Sequence, residues 1–487
     1  MSFLNYNRGY IESIHKKEKE VPSDFHEIDV QLKRAKAAQS ILASYSQEKL
    51  DEIIQSLAWA IYRDDHAKEL AILAVNDTGL GNIDDKITKN KRKTLGTLID
   101  LLPIKTVGIV KENPEIGLTT FNKPIGIVGT LTPSTNPAAT PANQALMAVK
   151  GGNAIIVCPS PSGLRTAQKL KEYFDEALQK INVPTDIFQI VDAPINFSKA
   201  EYLSRNVDLI LVTGDQKNVK KGYSSGTPCI GVGKGNVPVI VDKSANIAQA
   251  IPQIISSKIF DNSTSCSSEN SLIIDQIIYQ ETIKTLERAG AYIASPNEIE
   301  KIEKIMFSDN KLNCDVVGQS LKDLGEIFQI APEKLFNKKV IIVEQSGIGP
   351  DHPLSGEKMS LILSVYKAHD FDNAIEIANG ILKYEGIGHS VGVHTSNMNN
   401  ARKLAAEISV TRVLVNQAHT FGNGGGFNNA LPFTLTMGCG SWAGNSISEN
   451  LSINDFVNKT KLVETYNKEN LSAAEAFSHL YDHVLDT

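Results

Sequence analysis

Cysteine is scarce in this chain: five in 487 residues, at 158, 229, 266, 314 and 439. The count is odd and no two form a CxxC pair, which argues against a zinc site and a disulfide framework. Positive charge is not in excess. Lys and Arg number 49 against 55 Asp and Glu, a formal charge of −6, whereas nucleic acids and anionic membranes select basic faces. Apolar runs stay well short of the roughly 20 residues a membrane helix needs. The opening "MSFLNYNRGYIESIHKKEKE" has no apolar h-region, so secretion is not expected. These absences point to a cytoplasmic protein with reduced thiols and with neither a nucleic-acid nor a membrane partner. No internal repeat or low-complexity tract stands out. No GxGxxG follows the first β-like run, so any nucleotide is held without the usual dinucleotide fingerprint.

What is present has the length of two or three domains and an ordinary composition, 41% apolar and 21% charged. Apolar residues at three- and four-residue intervals predict helices from Ile28 to about Arg63 and from Ala67 to about Ile104. Residues 107–124 read as a hairpin of two amphipathic strands around "ENPEIG". From Ile125 short β runs (125–132, 154–160, 187–192, 207–214) alternate with helical segments (139–150, 164–180, 199–205). Near-continuous apolar strands separated by helices imply a parallel sheet covered on both faces, with ligands at the carboxyl ends of the strands. Those ends carry "TPSTNP", "CPSPSG" and "TGDQK". After "VPVIVD" (237–242) a second α/β run extends to "TRVLVNQ", and the boundary is expected near Val241. The closing "LSAAEAFSHLYDHVLDT" has the spacing of an amphipathic helix.

Three features carry candidate chemistry. Cys266 sits in "FDNSTSCSSEN", after a predicted helix and among hydroxyls and amides, surroundings that favour a reactive thiolate over an inert apolar thiol. Asn136, before Pro137 in "GTLTPSTNPAAT", is either a helix cap or an oxyanion donor at a strand end. Glu357, just before a β run in "GEKMSLILSVYKAHDF", is either a surface carboxylate or a partner for a ribose diol.

Taken in order, the strand-end N-P, the TG after the fourth strand, the glycine-rich segment, the cysteine about 30 residues further on and the Glu before a later strand resemble the aldehyde dehydrogenase superfamily from about residue 28 to 450. "YSSGTPCIGVGKGNVPVIVD", "SKIFDNSTSCSSENSLII" and "MGCGSWAGNSISENLS" look like its CoA-acylating branch. The resemblance implies an α/β fold of the aldehyde dehydrogenase kind, with two Rossmann-like α/β domains plus a β-hairpin oligomerisation element. Residues 1–106 and 125–241 would bind the nicotinamide dinucleotide, residues 242–430 would form the catalytic domain, and 107–124 with 431–487 would mediate oligomerisation. It implies that Cys266 attacks the aldehyde, that Asn136 and the Cys266 N–H form the oxyanion hole, and that a thioester remains on Cys266 after hydride transfer. Thr132, Pro133, Ser134, Ser160, Thr213, Gly214 and Gly233 would line the dinucleotide site, and Glu357 would hold the nicotinamide ribose. Hydrolytic members carry a Glu in an E-L-G-G-K segment as the base for water. Here "IGVGKGNVP" (230–238) has no carboxylate. A CoA thiol is a better nucleophile than unactivated water, so the implied product is an acyl-CoA.

The wording of "TPSTNPAATPAN" and of residues 412–442 resembles the members of that branch that act on sulfoacetaldehyde. A sulfonate is a permanent anion and must meet fixed donors. "QAHTFGNGGGFNN" offers His419, Thr420, Asn423, Asn428, Asn429 and glycine N–H groups as an anion nest, with Ser263, Thr264 and Ser265 adding hydroxyls beside the nucleophile. The alternative is a Gly/Asn loop that only turns. His389 reads either as a substrate or proton-transfer residue or as a packed interior histidine. Arg165, with small residues around it, favours tolerance of NADP, leaving NAD or NADP open. Two competing readings remain: an acylating acetaldehyde or propionaldehyde dehydrogenase, and an inactive assembly protein of the same fold. A homodimer or homotetramer is expected from the resemblance and from the hairpin edges, which need covering.

Overall fold

A computed structural model describes residues 25–214, 216–466 and 470–481. Among them the strands are β1 (Gly108–Asn113), β2 (Leu118–Pro124), β3 (Ile127–Thr132), β4 (Ala154–Pro159), β5 (Phe188–Ile190), β6 (Leu209–Thr213), β7 (Cys229–Val232), β8 (Val237–Val241), β9 (Glu269–Asp275), β10 (Ala291–Ile293), β11 (Phe307–Ser308), β12 (Lys311–Leu312), β13 (Val340–Glu344), β14 (Ile362–Ala368), β15 (Val391–His394), β16 (Val413–Val415) and β17 (Val457–Val463). Two parallel sheets dominate. The first has the order β5-β4-β3-β6-β7 and the second β10-β13-β14-β9-β8-β15-β16. Strands β3, β4 and β6 are almost wholly buried, as the unbroken apolar runs require when helices cover both faces of a sheet. Between them run the helices Ala139–Lys150, Leu164–Lys180 and Phe197–Asn206, the first two with the predicted bounds.

Four helices precede the first sheet: His26–Leu42, Gln47–Tyr62, Asp64–Thr78 and Ile83–Leu101. The second and fourth begin at Ser46 and Asn82, whose side chains accept from the N–H three residues on. Three differences from the sequence reading have local causes. Strand β8, grouped with the first sheet by a boundary near Val241, is bonded between β9 and β15 of the second, so the crossing falls in the short segment 233–236 before it. Strand β17 adds a third strand to the predicted hairpin, pairing with β2 through Val463↔Leu118. Its sequence, "VNKTKLV", alternates too weakly to stand out. The closing segment shows two short turns, Ala473–Ala476 and Ser478–Tyr481, in place of one continuous helix, and residues 482–487 lie outside the described residues. No described helix is long and apolar enough to cross a membrane, and no described cluster of His, Cys, Asp or Glu could hold a metal ion.

Candidate active site

Helix Ile247–Ile259 ends at a tight turn in which Asp261, Asn262 and Ser263 all take positive φ, 51°, 50° and 65°. Left-handed backbone at a non-glycine residue costs on the order of 1 kcal/mol each, so three in succession need compensation. The side chains provide it. Asp261 pairs with Lys86 at 3.0 Å and with Lys89, and accepts from the Asn82 N–H at 3.0 Å and the Thr264 hydroxyl at 2.7 Å. Asn262 donates to the carbonyls of Gly81 and Gly318, and Ser263 bonds Ser268 at 2.6 Å. Gly235 lies against the carbonyl of Cys266 so closely that a Cβ there would collide with it.

The polar residues that mark this segment in sequence therefore mostly bond one another. Ser267 accepts from Asn423 Nδ2 at 2.9 Å and donates to Met437 Sδ at 3.3 Å. Cys266 itself is half-buried. Burial pushes its thiol up to about 12, the Glu357 carboxylate adds to that, and Ser267 and Arg412 pull the other way. The resting nucleophile is thus a thiol and not the standing thiolate its polar neighbours suggested.

Asn136 follows β3. Lys89 Nζ donates to its Oδ1 at 2.8 Å while Asn136 Nδ2 reaches Thr135 Oγ1 at 3.3 Å. The lysine fixes the amide with its NH₂ side available to an oxyanion. The adjoining helix at Ala139 has no side-chain cap. Asn136, Ser265 and Ser267 share a narrow cavity of about 30 Å³ with Lys89, Arg92 and Lys93 of the 83–101 helix and with Phe260, Thr420 and Phe421. The three cations were missed in sequence, where "KITKNKRK" has the texture of a solvated face.

A second cavity of about 410 Å³ lies at the carboxyl ends of β3, β4 and β6. Thr132, Pro133, Ser134, Ser160, Thr213 and Gly214, all expected there, line it together with Asn196 and Phe197. The Thr132 and Ser160 hydroxyls are buried without a partner among the described residues, and no charged side chain among those residues lines the space. These residues fit a dinucleotide, with two orphaned donors and, among the described residues, no carboxylate to repel its phosphates. Arg165 does not line the cavity. Asp77 holds it at 2.7 Å, so the expected 2′-phosphate partner is engaged elsewhere. Gly233 packs against the Gln216 side chain. Glu357 is buried, accepts from the Gly235 N–H at 3.2 Å, and is raised to about 8 by burial and the Glu385 charge. It acts electrostatically on Cys266 and is not a surface carboxylate.

The 417–429 segment is an ordered wall in place of a nest. Thr420 reaches the narrow cavity. His419 is bound through Nδ1 to the Ser267 carbonyl at 2.8 Å, and Asn423 Oδ1 accepts from Arg412 at 2.9 Å. Gly424 presents its carbonyl to Lys93, and Asn429 bonds Gln417 and the Gly422 carbonyl. Asn428 is exposed. His389 is interior, with Nδ1 on Ser390 Oγ at 2.7 Å and Nε2 unpartnered among the described residues. Burial lowers both histidines, His419 to about 4.

The sequence profile of the aldehyde dehydrogenase family matches residues 16–301. The chain belongs to the aldehyde dehydrogenase family. It is 42% identical over 429 residues to an acylating sulfoacetaldehyde dehydrogenase of Cupriavidus necator, covering 88% of this chain and 87% of that protein. It is 38% identical over 440 residues to an acetylating succinate-semialdehyde dehydrogenase of Clostridium kluyveri, covering 90% and 95%. The crystal structure of an acetylating aldehyde dehydrogenase from Geobacillus thermoglucosidasius superposes with a TM-score of 0.88 at 33% identity, over 92% of this chain and 98% of that one. The fold is accordingly that of an aldehyde dehydrogenase, with Asn136 and the two neighbours of Cys266, Ser265 and Ser267, on one cavity.

Proposed function

We propose that this chain is a CoA-acylating aldehyde dehydrogenase that oxidises sulfoacetaldehyde to sulfoacetyl-CoA, reversibly, with NAD or NADP. The cationic wall beside Cys266 carries the choice of substrate: a permanent anion has its counter-charge there, whereas acetaldehyde or propionaldehyde has no use for it. The likeness to the acylating sulfoacetaldehyde dehydrogenase supports the same reading. Succinate semialdehyde is also anionic and has as many heavy atoms as sulfoacetaldehyde, so it is compared directly in the test below.

Cys266 gives up its proton to solvent and attacks the carbonyl carbon as the thiolate. The alkoxide of the thiohemiacetal is held by the Asn136 amide, oriented by Lys89, and by the Cys266 N–H. Thr132, Ser160 and Thr213 would hold the dinucleotide in the larger cavity. The nicotinamide supplies the acceptor for the hydride that leaves the same carbon. The acyl group then sits on Cys266 as a thioester until the CoA thiol displaces it, releasing the cysteine thiol. The edges of the β1-β2-β17 sheet, with Leu462 and Val463 exposed, would pair or cover one another in a homodimer or homotetramer, which light scattering on the intact chain tests.

The test is nicotinamide reduction at 340 nm with CoA, comparing sulfoacetaldehyde with acetaldehyde, propionaldehyde and succinate semialdehyde. A kcat/KM advantage of about 100-fold for the sulfonate over the neutral aldehydes, roughly 2.7 kcal/mol of transition-state discrimination, is expected. Equal turnover of acetaldehyde would overturn the substrate and leave the acylating chemistry standing.

A further inference from the structure

The five cations of the 83–101 helix do not share one role, and Lys91 pairs outward with Asp64. Lys86 and Lys89 both face the Asp261 carboxylate, and Lys89 also holds Asn136. Arg92 and Lys93 have no such partner. Arg92 forms no ion pair among the described residues. Its guanidinium lies 5.6, 5.2 and 5.8 Å from the ring centroids of Phe421, Phe427 and Phe433, and Nη2 donates to the Phe421 carbonyl at 3.2 Å. Its Nε is buried with no acceptor among the described residues.

Lys93 is buried and gives one proton to the Gly424 carbonyl at 2.6 Å, leaving two of its three donors unspent. The carboxylate of Asp100, which acts on it electrostatically, is bonded to the Phe433 N–H at 2.6 Å. Across the same cavity the Thr420 hydroxyl is buried and, among the described residues, unpartnered. Buried donors without acceptors are rare and costly in a folded protein. Two of them, Arg92 Nε and the Thr420 hydroxyl, with the unspent protons of Lys93 around the same narrow space, form a place built for a compact anion with several acceptor oxygens.

We propose that Arg92, Lys93 and Thr420 bind the anionic tail of the aldehyde, the planar guanidinium resting on the phenylalanine faces and the ammonium and hydroxyl closing the other two sides. The inference rests on the anionic-aldehyde reading above, which it makes specific. It places the tail on the 83–101 helix and on Thr420, and leaves the 417–429 glycines out. Arg92 is held among ring faces that suit a delocalised cation better than an ammonium, so Lys is not an equivalent residue there.

The experiment compares wild type, R92M, R92K and K93M in two assays. In the first, the ratio of kcat/KM for sulfoacetaldehyde to that for propionaldehyde is expected to fall about 100-fold in R92M, less in R92K. In the second, ethanesulfonate competes with propionaldehyde in wild type, and its inhibition constant rises at least about tenfold in R92M and K93M. The second assay does not depend on the physiological substrate. A wild type that prefers propionaldehyde yet is inhibited by ethanesulfonate through Arg92 would overturn sulfoacetaldehyde as substrate and keep the anion site. A wild type that prefers sulfoacetaldehyde, with ratio and inhibition unmoved in R92M and K93M, would overturn the anion site alone.

Discussion

A lysine without a carboxylate partner inside a protein is an unfavourable residue to keep, and Lys93 shows the cost. Burial, with the Arg92 and Lys89 charges adding to it, lowers its ammonium to about 7. In the unfolded chain the same group titrates near 10.4. Between those values the unfolded chain keeps a proton that the folded chain has released, so the Lys93 contribution to stability improves as pH rises from about 7 to about 10. Below about 7 the folded protein bears the whole desolvation cost. Replacing Lys93 with Met removes that cost in a space of similar volume. K93M should therefore be more stable than wild type by about 2 kcal/mol or more at pH 6.5, and the gap should close toward pH 10. Thermal melts across that range check both sign and window. A variant that melts below wild type at pH 6.5 would mean that Lys93 is structural and not held in reserve for a ligand.

At the scale of elements, the 83–101 helix and the 260–263 turn hold each other. The helix turns Lys86, Lys89 and Lys93 to the inside, a buried face of like charge that no helix would keep unaided. The turn supplies Asp261 and, in exchange, has its strained backbone fixed by that carboxylate's contacts. D261N leaves two buried ammonium groups facing a neutral amide, and losing one partner of a buried ion pair costs about 3–5 kcal/mol. The expected result is a lowered unfolding midpoint in urea together with loss of kcat, because the turn also carries Cys266. Unchanged kcat in a folded D261N would separate the turn from the nucleophile. This pair also marks where sequence reading stops. The strand-end residues of the larger cavity were legible because alternating strands and helices dictate a parallel sheet, and parallel sheets bind ligands at one end. Cys266 was legible from its place after a helix. The lysines were not, since "KITKNKRK" is turned inward only by an aspartate 175 residues later. The partner of Arg165 was hidden for the same reason: it is Asp77, on an earlier helix.

At the scale of the whole molecule, the site is assembled from parts that lie far apart in sequence. Asn136 follows a strand of the first sheet, Cys266 precedes β9 of the second, and Arg92 and Lys93 come from the helices before both. What the assembly does not bring to Cys266, among the described residues, is a free carboxylate. Asp261 is ion-paired to two lysines. Glu269 accepts from Ser257 at 2.6 Å and from the His419 N–H at 3.1 Å, and burial raises it to about 7. Glu357 is bonded to Gly235 and raised to about 8, so near neutral pH it is largely protonated. Water needs a positioned base, a contribution of about 10²–10⁴-fold, while a CoA thiol is a few per cent thiolate unaided. The thioester on Cys266 should therefore form and then wait. Mixing enzyme, sulfoacetaldehyde and an excess of NAD or NADP without CoA at pH 7 should give a burst of about one reduced nicotinamide per Cys266 and then a rate at least ~100-fold below that with CoA. Intact-protein mass spectrometry during the stall should find the sulfoacetyl group, and C266S should show neither burst nor adduct. Continued turnover without CoA would mean that one of these bonded carboxylates leaves its partners to activate water, with Glu357, which already acts on Cys266 electrostatically, the first to replace by Gln.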